Sequence, residues 1–240
     1  MNDLLELAIA AHGGWERWQQ LRRITAHASV GGTIWQVKGW PDVLADARFE
    51  IDPHSPRTEY SVSGDTARRR SVYEPNRTAL VSGDGKVIEQ RESPRSSFAG
   101  HTITTRWDEQ QLIYFAGYAM WTYLTTPFLF KLPGFRTEEI APWDEDGETW
   151  RRLKVSFPAN VPSHSAEQTF YFDRMGLLRR HDYSVEIMGG TSSANYATDV
   201  ESFGGIVFPT RRRVFAIGPD NRPLRNRVAV AIDLLHIDVA

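Results

Sequence analysis

Along most of the chain, hydrophobic and polar residues alternate with a period of two. Ile24, Ala26, Ala28 and Val30 interleave with Thr25, His27 and Ser29, and Gly31-Gly32 supplies a turn. Alternation of this kind puts every second side chain on one face of a half-buried strand. Residues 33–38 then read as the hairpin partner. Further strands are predicted over residues 43–51, 57–62, 68–73, 78–81 and 86–91. They resume over residues 136–140, 149–157, 168–173, 177–187, 195–202, 206–216 and 225–239. The breaks at Asp52-Pro53, Gly64-Asp65, Pro75-Asn76 and Gly83-Asp84-Gly85 carry residues that favour turns. Short strands joined this tightly predict an antiparallel meander.

Two regions leave this rhythm. Near the N-terminus Leu4, Leu5, Leu7, Ala8 and Ala11 fall at helical spacing, and Asp3 can cap the first turn. Gly13-Gly14 stops that helix, after which Trp15, Trp18 and Leu21 suggest a second short one. In the middle of the chain, Trp107 to Phe135 gathers nine aromatics. Asp108 can cap a helix there, with Glu109 in its first turn. Leu112, Phe115, Ala119 and Tyr123 form one row, while Tyr114, Tyr118 and Trp121 cover much of the remaining circumference. A helix apolar on most of its surface is buried on more than one side. Pro127 ends it, and Phe128, Leu129, Phe130, Leu132 and Pro133 continue as an apolar loop. Such a segment is either a plug that fills the concavity of a sheet or a lid over an apolar cavity.

The chain of 240 residues is 41% hydrophobic and 24% charged, enough for a real core, and no linker divides it. One domain over residues 1–240 is expected, mainly β with α elements: a large curved antiparallel sheet, open as a half-barrel, with an N-terminal helix and an inserted lid or plug helix. A net charge of −2 gives no electrostatic reason for a nucleic-acid or anionic-membrane partner. Cysteine is absent, which removes disulfides, thiolate metal sites and a cysteine nucleophile. The start Met1-Asn2-Asp3 has no basic segment, and Glu6 interrupts the apolar run behind it, so no signal peptide is read. The chain as given reads as cytoplasmic, or as periplasmic if an export signal has been trimmed. No stretch is long and apolar enough to predict stable membrane insertion.

Candidate chemistry is sparse. There is no G-x-S-x-G elbow, Walker loop, dinucleotide fingerprint or H-E-x-x-H motif. Gly83-Asp84-Gly85-Lys86 reads as a hairpin turn, and Asp144-Glu145-Asp146-Gly147-Glu148 as a solvated turn between strands. The histidines at 12, 27, 54, 101, 164, 181 and 236 show no metal-ligand spacing, so no metal, cofactor or catalytic residue is assigned. On a strand His181 and Asp182 point to opposite faces. Asp199 and Glu201 share one face, expected to be solvated. Two triplets, Arg68-Arg69-Arg70 and Arg211-Arg212-Arg213, should each turn at least one arginine inward. Such a residue needs a carboxylate or a ligand head group as partner.

The opening Ala8 to Leu21, of the form A-x-x-A-H-G-G-W-x-x-W-x-x-L, resembles the start of proteins in the outer-membrane lipoprotein carrier (Lol-type) superfamily. The stretch Tyr171-Phe172-Asp173, Gly176-Leu177-Leu178 and the later Gly204-Gly205-Ile206-Val207-Phe208-Pro209 are similar to hairpins of the same group. The resemblance implies an open half-barrel around helices, with an apolar cavity for acyl chains and the aromatic segment where the family places its lid. The expected function is non-catalytic binding of a hydrophobic small molecule or lipid. Tyr118, Trp121, Tyr123, Phe128 and Phe130 are expected to line the site, faced by Trp35 and Trp40. An enzyme acting on a hydrophobic substrate in the same cavity, and an interaction module that docks through the aromatic helix, remain as alternatives.

Overall fold

The computed structural model describes residues 3–240. The leader reading at Met1 and Asn2 lies outside the described residues. Helices α1 (Asp3–Ala11) and α2 (Trp15–Gln19) precede strand β1 (Ile24–Gly31), and a third short helix, α3 (Thr33–Lys38), follows it. Strands β2 (Ala47–Ile51), β3 (Thr58–Val62), β4 (Arg70–Glu74), β5 (Arg77–Val81) and β6 (Val87–Glu92) then step away from β1 in sequence order. The chain leaves the sheet, runs through helix α4 (Glu109–Thr125), and re-enters at the opposite edge as β7 (Arg136–Glu145). It returns through β8 (Glu148–Ser156), β9 (Glu167–Phe172), β10 (Leu178–Val185), β11 (Thr191–Phe203), β12 (Ile206–Ala216) and β13 (Val230–Val239). β13 closes the path by pairing antiparallel with β1, Ile24 opposite Val239. The result is one 13-stranded sheet with β6 and β7 as its edges, an open half-barrel, as the alternation predicts.

Helix α4 crosses this sheet's concavity. Its start is fixed by a reciprocal capping box: the Asp108 carboxylate accepts from the Gln111 N–H at 2.9 Å, and the Gln111 side chain accepts from the Asp108 N–H at 3.1 Å. Every residue from Gln110 to Thr125 is buried. Burying a large apolar side chain contributes about 1.5–3 kcal/mol, so this one helix supplies a large part of the core. One flank presses against β2–β5. At Gly117 an added Cβ would stand 2.2 Å from the Tyr73 Cβ, and the Gly117 carbonyl accepts from Thr58 Oγ1 at 3.0 Å. Only glycine permits that approach.

The three motifs quoted above from distant parts of the chain meet around α1 and α2. Gly13, at φ 115°, lies where a Cβ would be 2.2 Å from the Gly205 carbonyl oxygen. The Val207 N–H donates to the His12 carbonyl at 2.9 Å, and Arg17 Nε donates to the Gly204 carbonyl at 2.7 Å. Gly176 faces the Leu7 carbonyl, and the Phe172 ring meets the edge of His12 at 6.5 Å. The motifs are thus one packing junction between the N-terminal helices and two hairpins.

Four expectations need correction. Residues 33–38 form α3, not a strand: Ile34, Trp35 and Lys38 are its buried positions, spaced i, i+1, i+4 as in a helix. The Thr33 and Ile34 N–H groups donate to the Val228 and Ala229 carbonyls rather than to a hairpin partner. β13 begins only at Val230, because residues 217–229 form a loop with a short Ile217–Pro223 bridge. Arg68 and Arg69 precede β4, so that triplet turns none of its arginines into the core; Arg69 pairs with Asp65 and Glu109 instead. Glu145, read as part of a solvated turn, is 3% exposed and ion-paired to Arg180. No helix of the described residues is long and apolar enough to cross a membrane.

Candidate functional site

Although α4 is pressed onto β2–β5, its flank toward β10–β13 does not close completely, and Val30 of β1 and Phe49 of β2 also border the gap. An apolar cavity of about 80 Å³ remains there. Phe115, Ala116, Ala119, Met120 and Tyr123 of α4 form one wall, and Ile34 and Trp35 of α3 a second. Tyr183, Val214, Val230 and Ile232 from the sheet face them. Met188, after β10, and the half-exposed Ile103 lie toward the surface. The segment carrying Ile103 is tied down by Lys38, whose buried ammonium donates to the carbonyls of Thr102, Ile103 and Thr105 at 3.1, 2.8 and 3.1 Å.

The seven aromatics singled out from the sequence divide by position. Trp35 and Tyr123 line the cavity. The Tyr118 hydroxyl turns to His164, 3.0 Å from Nδ1. Trp121 donates from Nε1 to the Asp52 carbonyl at 2.9 Å, and Trp40 likewise to the Trp107 carbonyl at 2.9 Å. Phe128 stacks on Trp18 with centroids 4.1 Å apart, and Phe130 meets Phe170 at 4.6 Å. These last five do not line the cavity.

Beneath the cavity lies a buried polar cluster that no sequence spacing announces. His164 comes from the connection between β8 and β9, His181 and Tyr183 from β10, Asn195 from β11 and Arg212 from β12. The Tyr123 hydroxyl is 2.8 Å from His164 Nε2 and 2.9 Å from the Tyr183 hydroxyl. His164 stacks on Tyr183 at 3.9 Å, and His181 Nε2 bonds the Gln168 side chain at 2.6 Å. Burial, aided by the positive charge of Arg95, pushes the His164 pKa down to about 3. Burial likewise holds His181 well below its ordinary value, with His164 and Arg212 adding to the effect. Both rings are therefore neutral at pH 7, and His164 has each nitrogen engaged by a tyrosine hydroxyl. Tyr118, Tyr123 and Tyr183 have raised pKa values through burial and keep their protons.

Arg212 is the inward arginine that the second triplet predicts, while Arg211 and Arg213 bond Asp233 on the other face. It is 2% exposed. Its Nη2 donates to the Tyr123 carbonyl at 3.1 Å, and its guanidinium lies 4.8 Å from the Tyr123 ring centroid. Burial lowers its pKa to about 10. Asp199 and Glu201 are exposed, as expected, and among the described residues no group of three His, Asp or Glu is placed to hold a metal ion.

No protein-family description and no curated protein matches the chain by sequence. Solved structures do match over its whole length. An outer membrane lipoprotein-sorting protein domain from Vibrio parahaemolyticus superposes with a TM-score of 0.57 at 8% identity, covering 99% of this chain and 91% of that one. A LolA superfamily protein from Nitrosomonas europaea superposes with a TM-score of 0.54, also at 8% identity, covering 99% and 92%. At such identity the likeness is one of architecture, and it agrees with the open sheet and crossing helix described above. The chain has the fold of the LolA superfamily.

Proposed function

We propose that the protein binds a hydrophobic small molecule or acyl chain, non-covalently, between α4 and the β10–β13 half of the sheet. The observation that carries this reading is the asymmetric seating of α4. The helix is locked against β4 at Gly117, yet its opposite flank leaves an apolar cavity. Trp35 and Tyr123 are the proposed contact residues; Tyr118, Trp121, Phe128, Phe130 and Trp40 hold the surrounding shape. The Vibrio parahaemolyticus domain is named for outer membrane lipoprotein sorting, which supports the same ligand class, since lipoproteins carry acyl chains.

The cavity is smaller than the roughly 300–1,000 Å³ of sites for drug-sized ligands. A chain can enter only as lining side chains move, and Met120 and Met188 are unbranched residues suited to that. The neutral state of His164, with both nitrogens occupied, favours a binding floor over an acid–base pair at neutral pH. Native mass spectrometry during titration with dodecanol tests the proposal. One dodecanol bound per chain, at saturation, is the expected outcome; no saturable binding overturns it.

A further inference from the structure

Arg212 is a cation enclosed without a counter-charge. Its one good hydrogen bond goes to the Tyr123 carbonyl, and its Nη1 is buried with no acceptor. Among the described residues no carboxylate lowers the cost of its burial; Tyr123 and Tyr183 favour its charge, and the neutral rings of His12 and His181 lie within its reach. Asn195, fully buried on the adjacent strand, has its side-chain amide beside the Tyr123 hydroxyl and no other polar partner among the described residues. Unpaired buried polar groups destabilise a fold, and charged ones most of all. An unpaired cation with an under-bonded amide diagonal to it, on one face and beside a cavity, calls for a partner from outside the chain.

A structural role accounts for only part of this. The residue four positions after Tyr123 is Pro127, which has no N–H, so the Tyr123 carbonyl has no helical donor. Arg212 Nη2 satisfies it. A neutral amide could do the same without burying a charge, and that bond leaves Nη1 unanswered.

The register places both groups at the end of the cavity. Arg212 pairs with Ile232 on β13, and Val214 pairs with Asn195 on β11. Ile232 and Val214 line the cavity, as does Tyr123, on which Arg212 rests. Resting on the reading of the cavity as a hydrophobic-ligand site, we infer that its ligand is an amphiphile with a carboxylate head, taken up by Arg212 Nη1 and Asn195 Nδ2 while its chain lies along Tyr123, Met120 and Trp35. Arg212 and Asn195 are then the residues that set head-group preference.

The test compares dodecanoic acid, dodecanol and dodecylamine by isothermal titration on the full chain. The acid should bind about tenfold or more tighter than the alcohol, a difference of roughly 1.4 kcal/mol, and the amine should bind weakest. In Arg212→Gln, which keeps a donor for the Tyr123 carbonyl, and in Arg212→Met, the acid's advantage should disappear while dodecanol still binds. The acid-to-alcohol ratio of the native protein is decisive even if a variant fails to fold. Equal binding of acid and alcohol overturns the head-group assignment and leaves the cavity reading standing. Binding of none of the three overturns both.

Discussion

Two arginines, Arg180 and Arg212, are buried on opposite faces of the same half of the sheet, and only one of them is paired. On the outer face Arg180 is 0% exposed. Its Nη1 meets Glu145 at 2.8 Å, and its Nε and Nη2 meet the two oxygens of Asp182 at 2.7 and 2.8 Å. Tyr196, the Asn221 carbonyl and the Tyr171 ring complete the enclosure. Burial alone would lower its pKa, but the bonds and charge of Asp182 hold it above its ordinary value. On the inner face Arg212 has one carbonyl and two tyrosines, and burial wins. A buried charge with its own carboxylates belongs to the architecture. One without them fits the head-group role proposed for Arg212.

Removing each arginine should separate these roles. Arg180→Met strands Glu145 and Asp182 under the loop of residues 217–229 and should cost about 3–5 kcal/mol in chemical denaturation. Arg212→Gln strands no opposite charge, so its stability should change by less than about 1 kcal/mol and can rise. Equal losses would erase the distinction between the two sites.

The faces should also differ in their response to acid. The folded pKa of His164, about 3, lies below the unfolded value of 6.5, so the unfolded state binds the proton first. Its contribution is intact above about pH 6.5 and is lost progressively as pH falls toward 3, with a slope of up to about 1.4 kcal/mol per pH unit. His181 acts in the same direction. On the outer face the shifts oppose one another: burial opposes the Glu145 charge, but bonds from Tyr196, Trp143 and Arg180 keep its pKa low, whereas burial raises that of Asp182. His164→Gln should therefore flatten the stability profile between pH 6.5 and 4, measured by denaturant midpoints. An unchanged slope would place the acid sensitivity elsewhere.

A smaller effect is expected inside the inner cluster. Tyr123→Phe removes a hydroxyl shared by His164 and Tyr183 and should cost about 1–3 kcal/mol. The same variant should leave dodecanol affinity within about threefold, because the ring remains; a larger loss would mean that the hydroxyl itself contacts the ligand.

How much of this was legible in the chain depended on distance in sequence. Alternation within single strands and hairpin turns exposed the meander, and Asp108 before an apolar run marked the start of α4. The helix α3 was hidden because Gly31-Gly32 before a short apolar stretch looks like a hairpin turn; only the carbonyls of Val228 and Ala229, nearly two hundred residues on, direct it otherwise. That at least one arginine of the second triplet turns inward is legible from strand alternation; that it is Arg212 is not. Nor is its lack of a carboxylate, since that depends on β11, β13 and α4 together. His164, His181 and Tyr183 carry no diagnostic spacing because separate strands assemble them. Five of the seven aromatics stand out by their density between Trp107 and Phe135, but density does not tell which of them lines a cavity, and only Tyr123 of the five does.

We propose that the flank of α4 facing β10–β13 receives a hydrophobic chain. Isothermal titration of dodecanol into the native protein and into Ala119→Leu, which fills the cavity from the helix side, tests it most directly. Saturable one-to-one binding by the native chain, weakened about tenfold or more in Ala119→Leu with the fold intact by circular dichroism, is the predicted result. Equal affinity in the two proteins, or no saturable binding by the native chain, would contradict it.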